Sequence, residues 1–303
     1  MNKIIRITLL AISVIFTLIG FISIIAIIFN KSYRFNETPI IDPELASNFG
    51  DFFGGLIGTI FSIVSVFLLI HTIIEQNQET QRTNIVSNFF RMIDYHNINV
   101  NQLKIAHLDI NKSNEIHEGR RAFVQFKIQI HRLFEIVRQI NEEKAYNLPC
   151  KDIADIVYII FYYGIDGSWL SFIEEKLSRY KNPELASAIQ KKIEEIPNLK
   201  LARTNQTNLS AYFRNMYNAI KMVDESKALT TKQKKELIKI LRAQLSNPEL
   251  YVLFFNILSR FGSKWIKNNY VIKYEIIKNI PNNYCEGYNP NDYFPMKYED
   301  EEY

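Results

Sequence analysis

Residues 7–29 read ITLLAISVIFTLIGFISIIAIIF, and residues 52–74 read FFGGLIGTIFSIVSVFLLIHTII. Each stretch is 23 residues long and contains no Asp, Glu, Lys or Arg. About 20 consecutive apolar residues are enough for a helix to cross a bilayer. Each stretch is therefore predicted to span a membrane, and residues 1–75 are predicted to form a helical hairpin that anchors the chain.

Two other interpretations of these stretches fit less well. A secretory signal has an apolar region of about 7–15 residues followed by a small-residue cleavage site. The first stretch is longer and leads into Asn30-Lys31-Ser32-Tyr33-Arg34, which offers no such site. A buried helix of a soluble core rarely stays uncharged for about six turns.

The basic residues near the spans favour placing both termini in the cytoplasm. Four of them lie outside the two spans and their loop, namely Lys3 and Arg6 before the first span and Arg82 and Arg91 after the second. Two lie in the connecting loop, namely Lys31 and Arg34. Loops rich in Lys and Arg tend to stay on the cytoplasmic side. The two cysteines, Cys150 and Cys285, provide no disulfide framework, which also suits a reducing compartment.

Small residues recur at every fourth position in and just before the second span. Gly50, Gly54, Gly58 and Ser62 would form one smooth stripe along a helix. Because lipid provides little hydrophobic drive for helix association, close approach of backbones matters in a bilayer. The stripe predicts either self-association of the protein or packing of the second span on the first.

Residues 76–283 are predicted to form one soluble all-α domain. Period-2 alternation is sparse, whereas several segments place a capping residue, Pro and an acid before an apolar run, as in Asn182-Pro183-Glu184 and Asn247-Pro248-Glu249. Thr230 and Gln233 fit a capping box. The apolar runs Ile156–Tyr163 and Leu250–Leu258 are too short to cross a bilayer and are predicted to be central core helices.

Charge is distributed unevenly along this domain. Residues 200–283 contain 15 basic and 5 acidic side chains, whereas the whole chain has a net charge of only +4. Such a segment is able to hold nucleic acid or anionic lipid headgroups, or it simply solvates helix surfaces. Residues 284–303 end in four acids and are predicted to be an acidic C-terminal tail.

The sequence contains few patterns that point to chemistry. G-x-G-x-x-G and G-K-[ST] loops are absent, and no serine lies in G-x-S-x-G. The five histidines form no H-E-x-x-H, and neither cysteine has a second one nearby. The sequence therefore predicts no metal site, no cofactor and no assembled catalytic constellation.

One weak catalytic pattern remains. Arg91 and His96 form an Arg-x4-His spacing that resembles the signature of the HEPN ribonucleases, all-helical toxins that act on the RNA backbone. An imidazole can transfer a proton and a guanidinium can stabilise an anion. The alternative is that both are ordinary residues of an amphipathic helix.

A resemblance to a known family covers most of the chain after the spans. It is carried by residues 88–97 (NFFRMIDYHN), 119–123 (GRRAF), 212–217 (YFRNMY) with Lys221 and Asp224, 240–246 (ILRAQLS) with Glu249, 254–256 (FFN), and 273–280 (KYEIIKNI). These segments resemble the putative phage abortive infection proteins. The likeness is strongest from Tyr212 to Ile280.

The resemblance implies a bacterial anti-phage role in which the protein arrests or kills the infected cell. Together with the two spans, this predicts an effector anchored in the inner membrane, with its soluble domain in the cytoplasm, that perturbs the bilayer. The alternatives are a membrane-tethered ribonuclease that uses Arg91 and His96, and a non-enzymatic sensor or scaffold.

The expected partners are membrane lipids, further copies of the chain, and a phage component or co-encoded defence protein; nucleic acid is an additional candidate. The family's mechanism provides no catalytic residue to carry over. Among the residues of the resemblance the polar ones are the functional candidates, namely Arg214, Lys221, Arg242, Gln244, Asn256, Lys273 and Lys278.

Overall fold

A computed structural model of the chain describes residues 3–29 and 43–299. Helix accounts for 72% and strand for 4% of the structure, which confirms the all-α prediction. The chain divides into two compact units, Met1–Asn84 and Ile85–Tyr303. The division falls nine residues after the predicted domain boundary at residue 75, because one helix runs without a break from Gly58 to Asn101.

The first unit contains two helical segments. Helix α1 is Lys3–Phe29, and the second segment consists of α2 (Pro43–Asp51), a π-helical stretch (Phe52–Ile57) and the start of α3 (Gly58–Asn101). Two helices, Ile7–Ala26 and Phe52–Asn101, are long and apolar enough to cross a membrane, and only 11% of each apolar window is buried. A core helix of a soluble protein would be mostly buried, so this exposure suits lipid contact.

The two segments pack on each other through an aromatic residue against a glycine. The Phe61 ring lies 3.3 Å from the position that a β-carbon would occupy at Gly20, and it meets Phe21 edge to face at 6.3 Å. The hydroxyl groups of Ser13 and Thr17 donate hydrogen bonds to carbonyl oxygens one turn earlier, at 3.0 and 2.8 Å. These bonds satisfy polar groups that could find no water inside a bilayer.

The second unit begins in the last turns of α3 and continues through one small hairpin and a series of helices. Strands β1 (Lys104–Ala106) and β2 (Ile116–Glu118) pair antiparallel, with Ile105 opposite His117. The helices that follow are α4 (Arg121–Glu143), α5 (Cys150–Tyr163), α6 (Leu170–Leu177), α7 (Leu185–Glu194), α8 (Gln206–Glu225), α9 (Thr231–Arg242), α10 (Asn247–Leu258), α11 (Ser263–Lys267), α12 (Tyr270–Lys273) and α13 (Pro290–Tyr293).

Helices α5 and α10 form the centre of the second unit, as the two short apolar runs predicted. Every residue from Ile153 to Phe161 and from Glu249 to Leu258 is buried. Helix α4 packs against both. Burying whole helices is favourable only when nearly all their side chains are apolar, which these sequences satisfy.

The C-terminal residues up to 299 fold into the second unit. The predicted acidic tail begins at residue 284, and in this stretch Cys285, Tyr288, Phe294 and Tyr298 are all buried in the core. The reason is that the acids are concentrated at the very end of this stretch, whereas its first fifteen residues are rich in aromatic side chains. The acidic end beyond Glu299 lies outside the described residues.

Candidate functional site

A buried carboxylate at the start of α10 is the centre of a polar cluster. Glu249 is fully buried, and its Oε2 accepts hydrogen bonds from the Ser246 backbone N–H at 2.9 Å and from the Ser246 hydroxyl at 2.6 Å. Its Oε1 accepts the hydroxyl of Tyr212, on α8, at 3.2 Å. Ser246 and Glu249 form a capping box, and the positive end of the helix dipole favours a carboxylate here.

Arg120 extends this cluster to the surface. Its Nε lies 3.8 Å from Glu249 Oε2, and its side chain is 52% exposed whereas that of Glu249 is not exposed at all. The chain reaches Arg120 through Gly119, which has a φ of +58° and donates its N–H to the Leu103 carbonyl at 2.9 Å. A left-handed φ costs glycine nothing, so this residue allows the sharp turn from β2 into α4.

His96, on α3, packs against the cluster. Its side chain is 1% exposed, and its ring centroid lies 4.7 Å from that of Tyr212. Neither of its ring nitrogens has a hydrogen-bond partner among the residues that the structure describes. Burial, together with the smaller effect of the nearby Arg120 charge, lowers the pKa of His96 to about 4. The imidazole is therefore neutral at physiological pH.

The cluster lacks the access that a catalytic centre needs. Tyr212 and Glu249 are fully buried, and burial with the neighbouring carboxylate raises the pKa of Tyr212, so that this phenol stays protonated. Ser246 is half-buried, and Arg120 is the charged member of the cluster that reaches solvent. The arrangement is suited to holding α3, α4, α8 and α10 in register, with one exposed cation that an anionic group from outside is able to contact.

Residues 204–284 match the family model described as putative phage abortive infection protein. The predicted resemblance is confirmed. The matched abortive infection segment covers α8 to α12 and provides Tyr212, Ser246 and Glu249 to the cluster, while His96 and Arg120 come from the two earlier stretches that carry the resemblance. No curated protein and no solved structure matches the chain.

Arg91 and His96 are not brought together as a pair. Arg91 is exposed whereas His96 is buried, and five positions on an α-helix separate two side chains by about 140° around the axis. The charge that acts on His96 belongs to Arg120.

Three of the seven polar candidates hold parts of the matched segment, residues 204–284, together. Arg242 pairs with Glu275 at 3.2 Å, and the Asn256 amide donates to the Tyr158 hydroxyl at 2.9 Å. Lys273 pairs with Asp224, which also accepts the Tyr274 hydroxyl at 2.5 Å. The contacts link α9, α10 and α12 to their neighbours and are typical of structural residues.

The other four polar candidates lie nearer the surface. Arg214 is exposed and donates to the Ser210 carbonyl at 3.0 Å, and Lys221 is exposed with Glu225 at 3.7 Å. Gln244 and Lys278 are half-buried, and the Lys278 carbonyl accepts the backbone N–H of Glu299 at 3.0 Å. The four are spread over the segment and do not converge on one place.

The small-residue stripe of the second span faces outward within its unit. Gly50, Gly54 and Ser62 are exposed and Gly58 is half-buried. A methyl group added at Gly50 or Gly54 would meet no atom within 4 Å among the described residues. The hairpin's close contact uses Gly20 and Phe61 instead.

Arg120, Tyr212 and Glu249 belong to the segments that carry the resemblance, but they are not among the residues predicted to be functional. One usable signal was Ser246-x-x-Glu249, a capping box directly before an apolar run. Nothing in the spacing shows that this acid is covered by a tyrosine from α8 and approached by an arginine 129 positions earlier.

Proposed function

We propose that this protein acts in bacterial anti-phage defence by abortive infection, as a membrane-anchored effector that arrests or kills the infected cell by perturbing the membrane. The observation that carries the proposal is the match of residues 204–284 to the abortive infection family in a chain with two helices long and apolar enough to span a bilayer. Both termini are proposed to lie on the cytoplasmic side of the inner membrane.

The outward-facing stripe supports the membrane mechanism. Gly50, Gly54 and Ser62 leave one side of the second span free for close approach of another helix. The proposed partner is a second copy of the chain, and the proposed lethal event is a change in how several hairpins pack. The alternative is that lipid alone covers this surface.

The polar cluster is the proposed control point. A phage component or co-encoded defence protein that presents an anionic group would compete with Glu249 for Arg120. Because Glu249 is fully buried, it keeps its bonds from Ser246 and Tyr212 but loses its nearest countercharge. An uncompensated buried charge is costly, so this competition would favour rearrangement around α10.

The other candidate mechanisms have less support. A ribonuclease that uses Arg91 and His96 would need an accessible imidazole, whereas His96 is buried and neutral. The polar cluster is also compatible with a non-enzymatic sensor or scaffold that binds another protein. Unlike the effector, such a protein would be toxic only together with that partner.

Phage infection of cells that express the full chain tests the proposal. We expect the wild type to reduce phage yield, and we expect Arg120→Gln to arrest growth without phage, because it leaves the buried Glu249 carboxylate without its countercharge. Glu249→Gln removes the buried charge itself and should leave uninfected growth unchanged, as should Glu275→Gln, which breaks an ion pair in the same segment. Unchanged phage yield with the wild type over a broad phage panel would contradict the function, and normal growth of the Arg120→Gln variant would contradict the control point.

A further inference from the structure

The hairpin between α3 and α4 brings together three side chains of kinds that bind transition metals. The donor atoms of His107, Glu115 and His117 all lie within 4.8 Å of one another. His107 donates its backbone N–H to the Glu115 carbonyl at 2.9 Å, which extends the β1–β2 ladder by one step. The two imidazole centroids are 5.4 Å apart. The H-x7-E-x-H spacing of these residues matches neither H-E-x-x-H nor a pair of close cysteines, so the sequence patterns do not reveal it.

Both imidazoles accept a hydrogen bond from a neighbouring group. The Asp109 backbone N–H donates to His107 Nδ1 at 3.0 Å. Gln125, which is 3% exposed, accepts the Leu108 N–H at 2.9 Å and so directs its amide nitrogen towards His117 Nε2 at 3.4 Å. In this arrangement the lone pairs are at His107 Nδ1 and His117 Nε2, and an ion bound at either nitrogen would replace the N–H that this nitrogen now accepts.

The dimensions of the site allow a tetrahedral ion after small side-chain movements. Bonds from zinc to His nitrogen and to carboxylate oxygen are about 2.0–2.2 Å, which places tetrahedral donor atoms about 3.3 Å apart. The three donors must therefore approach one another by up to about 1.5 Å. Glu115 is exposed, so its side chain is free to supply most of this movement, while the half-buried histidines stay on the paired strands.

We propose that His107, Glu115 and His117 bind one divalent transition-metal ion, with Zn²⁺ as the ion that the two-nitrogen, one-carboxylate set favours. Three protein ligands leave a fourth position for water or for a group from a partner. The ion would fix the hairpin that leads through Gly119 to Arg120. This site is independent of the proposed function and would exist even if the protein had no role against phage.

Metal titration of the full chain in detergent tests this proposal. The protein is purified through a tag without histidine, treated with a chelator, and titrated with Co²⁺ and then Zn²⁺. We expect one Co²⁺ per chain with the ligand-field absorption of a tetrahedral ion, and loss of that absorption when Zn²⁺ is added. Zn²⁺ should also raise the thermal unfolding temperature.

The variants decide whether the ion is at this site. His107→Asn, His117→Asn and Glu115→Gln should each weaken binding by more than about 100-fold, because even changes in groups behind the ligands cost about 10–100-fold. Two matched controls should bind as the wild type does: Glu118→Gln, on the same hairpin, and His131→Asn, a half-exposed histidine between Glu135 and Glu286.

Circular dichroism establishes that each variant is folded, and Glu115→Gln keeps the test decisive if a histidine variant unfolds, because Glu115 is exposed. Absence of tetrahedral Co²⁺ absorption in the wild type would overturn the proposal. Binding that is equal in the wild type and the three ligand variants, or that is lost equally in the controls, would also overturn it.

Discussion

His96 shows how burial changes the meaning of a residue. Its spacing from Arg91 resembles a ribonuclease signature, but it lies on the inward side of α3 against Tyr212, while Arg91 is exposed. Because the ring is neutral and has no described hydrogen-bond partner, it acts as an apolar packing residue of the second unit. The two residues differ in their exposure to solvent, which the spacing between them in the sequence does not reveal.

Stability should therefore depend on pH through His96. The pKa of this group is about 4 in the folded protein and 6.5 in the unfolded chain, so the unfolded state binds the proton first as the pH falls. The stabilising effect of the neutral ring is present above pH 6.5 and is lost between pH 6.5 and 4, by roughly 3 kcal/mol in total.

His96→Leu removes this dependence. We expect the variant to be as stable as the wild type at pH 7 or more stable by about 1 kcal/mol, because it removes two buried polar atoms that lack partners. Between pH 6.5 and 4.5 it should lose less stability than the wild type. Urea unfolding of the full chain in detergent at several pH values measures both effects, and identical pH slopes for the two proteins would show that the ring is not buried as described.

At the scale of elements, the sequence predicts helices well where local chemistry decides them. The capping box of Thr230 and Gln233 is present at the start of α9. Other starts differ by one or two residues: α7 begins at Leu185 rather than directly after Asn182, and Ser246 instead of Asn247 caps α10. The Asn-Pro pattern predicts Asn247 as the N-cap of α10. Ser246 is the N-cap instead, because it forms the capping box with Glu249.

The elements that the sequence does not predict depend on distant contacts. Each strand of the hairpin has only three residues, so period-2 alternation is too short to recognise. The hairpin is fixed by tertiary bonds such as Ile110 N–H to the Asn198 carbonyl at 2.8 Å. The π-helical stretch Phe52–Ile57 likewise has no clear sequence signal beyond its two glycines.

The stripe on the second span predicts self-association. Replacing Gly54 and Gly58 with leucine should keep neighbouring helices apart, because the backbones could no longer approach closely. Crosslinked dimers or larger species in membranes should then decrease. Ile63→Leu is a control on the same helix, at a position that is 38% exposed and lies about 140° around the helix axis from Gly58. Oligomers that persist in the glycine variant would show that the stripe does not mediate association.

At the scale of the molecule, two units have separate physical roles. The first contains two mostly exposed helices that are long and apolar enough to cross a membrane, and the second buries a continuous core within residues 85–299. Composition alone indicated this division, since charge is absent from residues 7–29 and 52–74 and frequent afterwards. The convergence of His96, Arg120, Tyr212 and Glu249 could not be predicted, because it joins residues of α3, α8 and α10 with the turn before α4 and depends on how these elements pack.

The proposed mechanism requires both units in one chain. Deleting residues 1–74 should abolish protection against phage even though the core of the second unit is intact. His96→Leu should keep most of the protection, because the membrane mechanism does not use an imidazole. Protection that is kept without residues 1–74 and lost in His96→Leu would instead indicate a ribonuclease that does not need the membrane anchor.

Simultaneous recording of membrane potential and RNA integrity in infected cells tests the central claim most directly. Cells that express the wild type, His96→Leu or the chain without residues 1–74 are compared after infection. We predict that the wild type and His96→Leu lose membrane potential before any RNA is cleaved, and that the truncated chain causes neither event. Specific RNA fragments that appear before depolarisation and are missing with a stably folded His96→Leu protein would contradict the account.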